Sequence, residues 1–276
     1  MGGALSARFT PQGLEMGRGG AMSKVRYEVD GPVSIVTIDR PEVRNAVDGE
    51  TAAALVECFQ RFEADDERCV AVLTGADGCF CAGADLHAVS RGTPGRANEI
   101  RSGPLGPTHM DLGKPVIAAV EGHAVAGGLE LALWCDLRVA AENAVFGVFC
   151  RRWGVPLIDG GTVRLPRLVG HSFAMDMILS GRGVCGDEAR NTGLANRLVA
   201  QGQALNEAIV LAKQLAAFPQ RCLRSDRISA RKQWGLTEAD ALVEEKRLGI
   251  EVIRSGETRE GARRFSAGAG RHGHFE

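Results

Sequence analysis

The run PVIAAVEGHAVAGGLELALW, residues 115–134, decides the fold class. Residues 115–120 are continuously apolar and partly β-branched, the pattern of a strand buried on both faces. Residues 122–128 form a Gly/Ala-rich turn, where small side chains let a backbone approach something closely. Residues 129–134 read as the first part of a helix. Strand, turn and helix in this order point to α/β layering with crossover connections.

The same order recurs toward the N-terminus. Residues 33–39 are β-branched and partly alternating, a strand that ends at Arg40-Pro41. Asp48 is placed to cap a helix carrying Ala53, Leu55, Val56, Phe59 and Phe62 at helical spacing. Residues 69–74 form a second buried apolar strand, followed by turn-rich residues 75–78. Residues 137–140 form a further strand. From residue 205 the pattern changes. Residues 205–218, 236–253 and 257–265 read as helices with no strands between them, punctuated by Pro219, Gly235 and Gly256. The expected organisation is an α/β core over residues 22–204 and a helical region over residues 205–276. Residues 1–21 are Gly-rich and aperiodic and are expected to form a flexible tail. No apolar segment there has the form of a signal peptide.

Composition excludes several function classes. A formal net charge of -1 argues against broad electrostatic binding to nucleic acid or an anionic membrane. No apolar run reaches transmembrane length. The eight cysteines include no C-x-x-C pair and no accompanying His cluster, so no metal site is expected. They read as small hydrophobes in a reducing cytoplasm.

Two Gly-rich turns follow buried strands and carry the chemistry. One is Phe80-Cys81-Ala82-Gly83-Ala84-Asp85-Leu86, and the other spans residues 122–131. The second opens a helix, whose first N–H groups lack partners inside the helix and attract negative charge. Neither turn fits G-x-G-x-x-G or the Walker lysine pattern. A pair of turns donating N–H groups to one point is an oxyanion hole, suited to a thioester carbonyl that becomes an enolate. Glu130, three residues after Gly127, offers a carboxylate beside that carbonyl for proton transfer.

These stretches resemble the enoyl-CoA hydratase/isomerase (crotonase) family. The likeness runs in family order through Arg40-Pro41-Glu42-Val43-Arg44-Asn45-Ala46, residues 80–86, residues 114–120, Gly127-Gly128-Leu129-Glu130-Leu131-Ala132, Cys135-Asp136, Gly160-Gly161-Thr162 and Gly193-Leu194-Ala195. The resemblance implies a spiral of ββα units with a C-terminal helical trimerisation region, as a homotrimer or a dimer of trimers. It implies oxyanion donors at the backbone of Ala84 and Gly127, and coenzyme A contacts at Arg44, Ala46, Ala82, Asp85 and Leu86. It implies an acyl-CoA thioester as substrate and no cofactor beyond its coenzyme A moiety. Glu130 matches the first catalytic glutamate of the hydratases.

The chain departs from the family pattern at the second glutamate. Cys150 stands at that position, followed by Arg151-Arg152. A thiol of ordinary pKa, about 8.5, is a poor base at neutral pH. Asp159, in the turn before Gly160-Gly161, is the candidate for a second carboxylate. The leading expectation is a cytoplasmic enoyl-CoA hydratase using Glu130 alone or with Asp159. The alternatives are a double-bond isomerase using one glutamate, and an acyl-CoA binder without catalysis. His123 is read as a packing residue, with reach into the site as the alternative, and His87 and Arg91 as ordinary loop charges, with contact to a CoA phosphate as the alternative.

Overall fold

The computed structural model describes residues 24–92 and 103–270; the tail expected at 1–21 lies outside the described residues. The chain opens with a hairpin, β1 (Val25–Asp30) and β2 (Val33–Ile38), paired antiparallel. Helix α1 (Gly49–Ala64) follows, its N-terminus capped by the Asp48 carboxylate, which accepts from the Thr51 N–H. Phe59 and Phe62 on its buried face are fully enclosed. Strand β3 (Val70–Gly75) returns parallel to β2, and the short helix α2 (Leu86–Ser90) leaves the first Gly-rich turn.

Two successive units then repeat one plan. Strand β4 (Val116–Val120) joins β3 in the large sheet, β5 (His123–Val125) enters a second sheet, and α3 (Gly127–Trp134) follows. Strand β6 (Leu137–Ala141) pairs with β4, β7 (Val145–Gly147) pairs with β5, and α4 (Gly161–Val169) follows after a 3₁₀ turn at Phe149–Trp153. Each unit gives one strand to each sheet, which is the expected ββα spiral. Helix α5 (His171–Ser180), β8 (Gly183–Cys185), α6 (Gly186–Asn191) and β9 (Arg197–Val199) complete the two sheets. Their strand orders are β1-β2-β3-β4-β6-β9 and β5-β7-β8.

The central strands are buried on both faces, as their unbroken apolar runs predict. Ala71, Leu73, Ala118 and Val120 face α1 and α3. Val70, Val72, Ile117 and Ala119 face the opposite way, into a cluster with Ala204, Ala208, Leu211 and Ala212. Those last four lie on α7 (Ala204–Ala216). The sequence division at 204/205 falls at the start of this helix, which packs on the core. Helices α8 (Gln220–Lys232), α9 (Glu238–Ser255) and α10 (Glu257–Ser266) lie beyond it.

Three local readings change. The turn expected at 122–128 contains β5, because small residues also suit a short strand pressed between neighbours. Helix α3 stops at Trp134, where Cys135 turns extended. Helix α8 has no clear signal in the sequence, since charge covers most of its surface and leaves few apolar positions to show a period. Among the described residues no helix is long and apolar enough to cross a membrane.

Candidate active site

The two Gly-rich turns meet because the segment after β3 runs alongside β5. Phe80 N–H donates to Glu121 O, Cys81 N–H to His123 O, and Val125 N–H to Cys81 O, at 2.8–3.1 Å. The contact is tight enough to demand glycine. A Cβ on Gly83 would sit 2.7 Å from the Gly127 nitrogen, and one on Gly128 would sit 2.0 Å from the Cys81 carbonyl oxygen. Ala126, between β5 and α3, adopts φ 54° and ψ −126°, a conformation an L-residue resists. Its N–H is fixed to Gly147 O of β7 at 2.8 Å. The surrounding sheet thus enforces the turn that sets the start of α3. Among the described residues, neither the Ala84 N–H nor the Gly127 N–H donates to a protein acceptor. Both residues line one cavity of about 340 Å³.

Glu130 occupies the first turn of α3 and borders the same cavity. It is only 2% exposed. Its Oε1 accepts from the N–H of Asp159 at 2.9 Å and of Gly161 at 2.8 Å, while Oε2 receives no hydrogen bond from the described residues. Burial pushes its pKa up to about 7, and the nearby Asp159 charge adds to that against the pull of the Gly161 N–H. A carboxyl poised there exchanges protons readily at neutral pH.

Asp159 and Cys150 form the facing wall. The Asp159 carboxylate accepts from the Thr108 hydroxyl and, at 3.1 Å, from the Leu105 N–H. Burial still raises its pKa above the ordinary aspartate value, those two donors notwithstanding. The Cys150 thiol is also pushed up, first by burial and then by the Glu130 charge. A thiol raised in this way stays protonated at neutral pH where it lines the cavity.

The remaining expected residues divide. Ala82, Asp85 and Leu86 line the cavity with the others; Arg44 and Ala46 do not. Arg44 is exposed, with its carbonyl accepting from Ala82 N–H at 3.0 Å. The Asp85 carboxylate is engaged within the protein. It caps α2 through the His87 and Ala88 N–H groups and meets Arg40 at 3.0 Å. Arg40 also reaches Asp48 at 3.3 Å and Ala46 O at 2.6 Å, so one buried guanidinium locks the 40–48 loop to the first turn. Arg151 and Arg152 bind the carbonyls of Ile178 and Gly181 on the surface. His123, His87 and Arg91 are not in the lining.

Comparison with known proteins gives the same reading. A family model described as enoyl-CoA hydratase/isomerase matches residues 28–269. The chain belongs to the enoyl-CoA hydratase/isomerase family. It is 37% identical over 243 residues to enoyl-CoA hydratase EchA19 of Mycobacterium tuberculosis, covering 86% of this chain and 91% of that protein. It is 38% identical over 229 residues to carnitinyl-CoA dehydratase of Salmonella paratyphi A, covering 82% and 84%. Enoyl-CoA hydratase EchA1 from Mycobacterium marinum superposes with a TM-score of 0.85 at 34% identity, over 89% of this chain and 96% of that one. The expected family and its crotonase fold hold, and the chain is an enzyme of the hydratase/isomerase type.

Several members of this family site escape sequence reading. Thr108 and Arg164 surround Asp159, with Arg164 donating to Asp159 O at 2.8 Å and to Thr108 O at 2.7 Å. Leu105, Trp153 and Ile158 shape the cavity wall. No spacing links residues 105–108 to 159–164. Arg164 carries the nearest signal, as a cation one turn into the helix after Gly160-Gly161.

Proposed function

We propose that this family member hydrates a 2-enoyl-CoA, with Glu130 as the proton-transfer group and the N–H groups of Ala84 and Gly127 as the oxyanion hole. Ionised Glu130 takes a proton from water as its oxygen bonds to the β-carbon. The π electrons move onto the thioester oxygen, where the two N–H groups stabilise the enolate. Collapse of the enolate takes a proton at the α-carbon from Glu130, or from Asp159 on the facing wall. Coenzyme A enters as part of the substrate, past Arg44, Ala46, Ala82, Asp85 and Leu86. The relatives named as a hydratase and a dehydratase support this direction of chemistry.

One observation carries the reading: a buried carboxyl with its pKa near 7 borders the same cavity as two N–H groups, at the junction of the Gly-rich turns, that have no acceptor among the described residues. Because Glu130 must be ionised to activate water, kcat/KM should fall below about pH 7. The first test is absorbance at the enoyl-thioester band with crotonyl-CoA and longer 2-enoyl-CoAs. Loss of the chromophore in the wild type and not in Glu130→Gln is expected. Formation of the chromophore from 3-enoyl-CoAs, with 2-enoyl-CoAs left unhydrated, would replace hydration by double-bond isomerisation. We propose further that the protein works as a homotrimer or a dimer of trimers in the cytoplasm. The exposed Leu242, Val243 and Ile253 on α9 and Phe265 on α10 support burial against another copy.

A further inference from the structure

The described part of the cavity lining is charged in one sense only. Among the described residues that line it, the ionisable side chains apart from the Cys150 thiol are Asp48, Asp85, Glu130 and Asp159; no Lys, Arg or His joins them. The first two sit beside Arg40, which meets both, and Asp48 also pairs with Lys24 at 2.6 Å, so these two acids are balanced within the protein. Glu130 and Asp159 share the lining with Leu105, Phe149, Cys150, Val155 and Ile158. Arg164 lies close enough to act on both carboxyls, but its two terminal nitrogens donate to the carbonyls of Asp159 and Thr108, and it is absent from the lining. His109 is turned outward, with Nε2 on Ile158 O at 3.2 Å.

We propose that the site selects its acyl group by charge, accepting neutral acyl tails and rejecting those ending in a carboxylate. The proposal rests on the acyl-CoA reading above and narrows its substrate class. A carboxylate on the tail would enter an apolar enclosure already holding two carboxyl groups, with no donor cation among the described lining residues to receive it. It would lose its water without compensation and meet like charge. The apolar wall, by contrast, suits an alkyl tail, and Trp153, 70% exposed at the rim, extends that surface outward.

The test compares two saturated esters that cannot react, hexanoyl-CoA and its ω-carboxylated counterpart adipoyl-CoA, by isothermal titration at pH 8 on the full-length protein. Hexanoyl-CoA should bind at least about 30-fold more tightly, the size expected for one unpaired charge in a partly screened pocket. The double variant Glu130→Gln/Asp159→Asn should bring the two affinities to within about threefold, chiefly by improving adipoyl-CoA binding. Equal affinities in the wild type would overturn the charge selection while leaving the acyl-CoA reading intact. A wild-type preference that survives unchanged in the double variant would also overturn it, assigning the selection to shape. Failure of both esters to bind would instead remove the acyl-CoA reading beneath it.

Discussion

The cavity has two walls built on different principles. The wall at β5 and α3 presents backbone: N–H groups at the turn ends, glycines pressed against neighbouring peptides, and one strained alanine held by β7. The wall at residues 149–161 presents side chains: Cys150 where the family pattern has a carboxylate, and Asp159 held by Thr108 and Leu105. Peptide donors depend on the path of the chain, which the whole core enforces. Side-chain acids depend on single residues, so one can be exchanged or shifted along the loop while the fold stays unchanged. Glu130 joins the two walls, since its α3 carboxylate is held by N–H groups of the facing loop.

Removing that joint should produce the largest effect. Glu130→Gln should lower kcat by about 10³-fold or more while acyl-CoA affinity, read by titration, changes little. The same variant should be more stable than the wild type in alkaline buffer. Burial raises the folded-state pKa of Glu130 from 4.5 to about 7, so between these values the folded protein keeps a proton the unfolded chain has released. Stability therefore falls as pH rises through that window, by up to about 3 kcal/mol, and the cost is complete above it. Glutamine can still accept from both N–H groups and does not titrate. Thermal melts should show a gain for Glu130→Gln at pH 8 and none at pH 4.

The backbone wall can be disturbed without touching an acid. Gly83→Ala would place a methyl 2.7 Å from the Gly127 nitrogen on a residue with φ +93°, so the two turns must part. A fall in kcat of about 10²-fold is expected, as for loss of an oxyanion donor. If circular dichroism stays native and kcat is unchanged, the junction of the turns has no part in catalysis.

The side-chain wall should respond less, and unequally. Asp159→Asn keeps acceptor capacity toward Thr108 and Leu105 but removes an acid, and should slow turnover by roughly tenfold to a hundredfold. Rates equal to the wild type would mean that Glu130 handles both protons. Cys150→Ala should change kcat less than about threefold, because the raised pKa leaves the thiol neutral. A larger loss at Cys150 than at Asp159 would reverse the assignment of roles on this wall.

Much of the first wall is legible in the amino-acid sequence. Strand, glycine turn and helix occur as neighbours along the chain, so the two Gly-rich turns and Glu130 stand out from short runs, while the donor positions Ala84 and Gly127 come from the family resemblance. The second wall is legible only in part. Cys150 stands out against the family pattern, and Asp159 by its place beside Gly160-Gly161. Thr108 and Arg164, which hold Asp159, are separated from each other by more than fifty residues of chain. Residues 205–218 read as a helix, but the apolar face of α7 gives no sign that it closes the sheet rather than joining the helices after it.

Local chemistry set what the sequence alone determined: strands that tolerate burial on both faces, turns that admit close approach, and a carboxylate at a helix start. These depend on side-chain size and period, which neighbouring residues fix. The tertiary structure decided which groups are enclosed together. It gave Glu130 its near-neutral pKa by burying it, with the Asp159 charge adding to the rise against the pull of the Gly161 N–H, left the Ala84 and Gly127 N–H groups without partners among the described residues, and aligned Arg164 behind the facing wall. Desolvation and charge coupling act through space, and only the folded chain sets those distances.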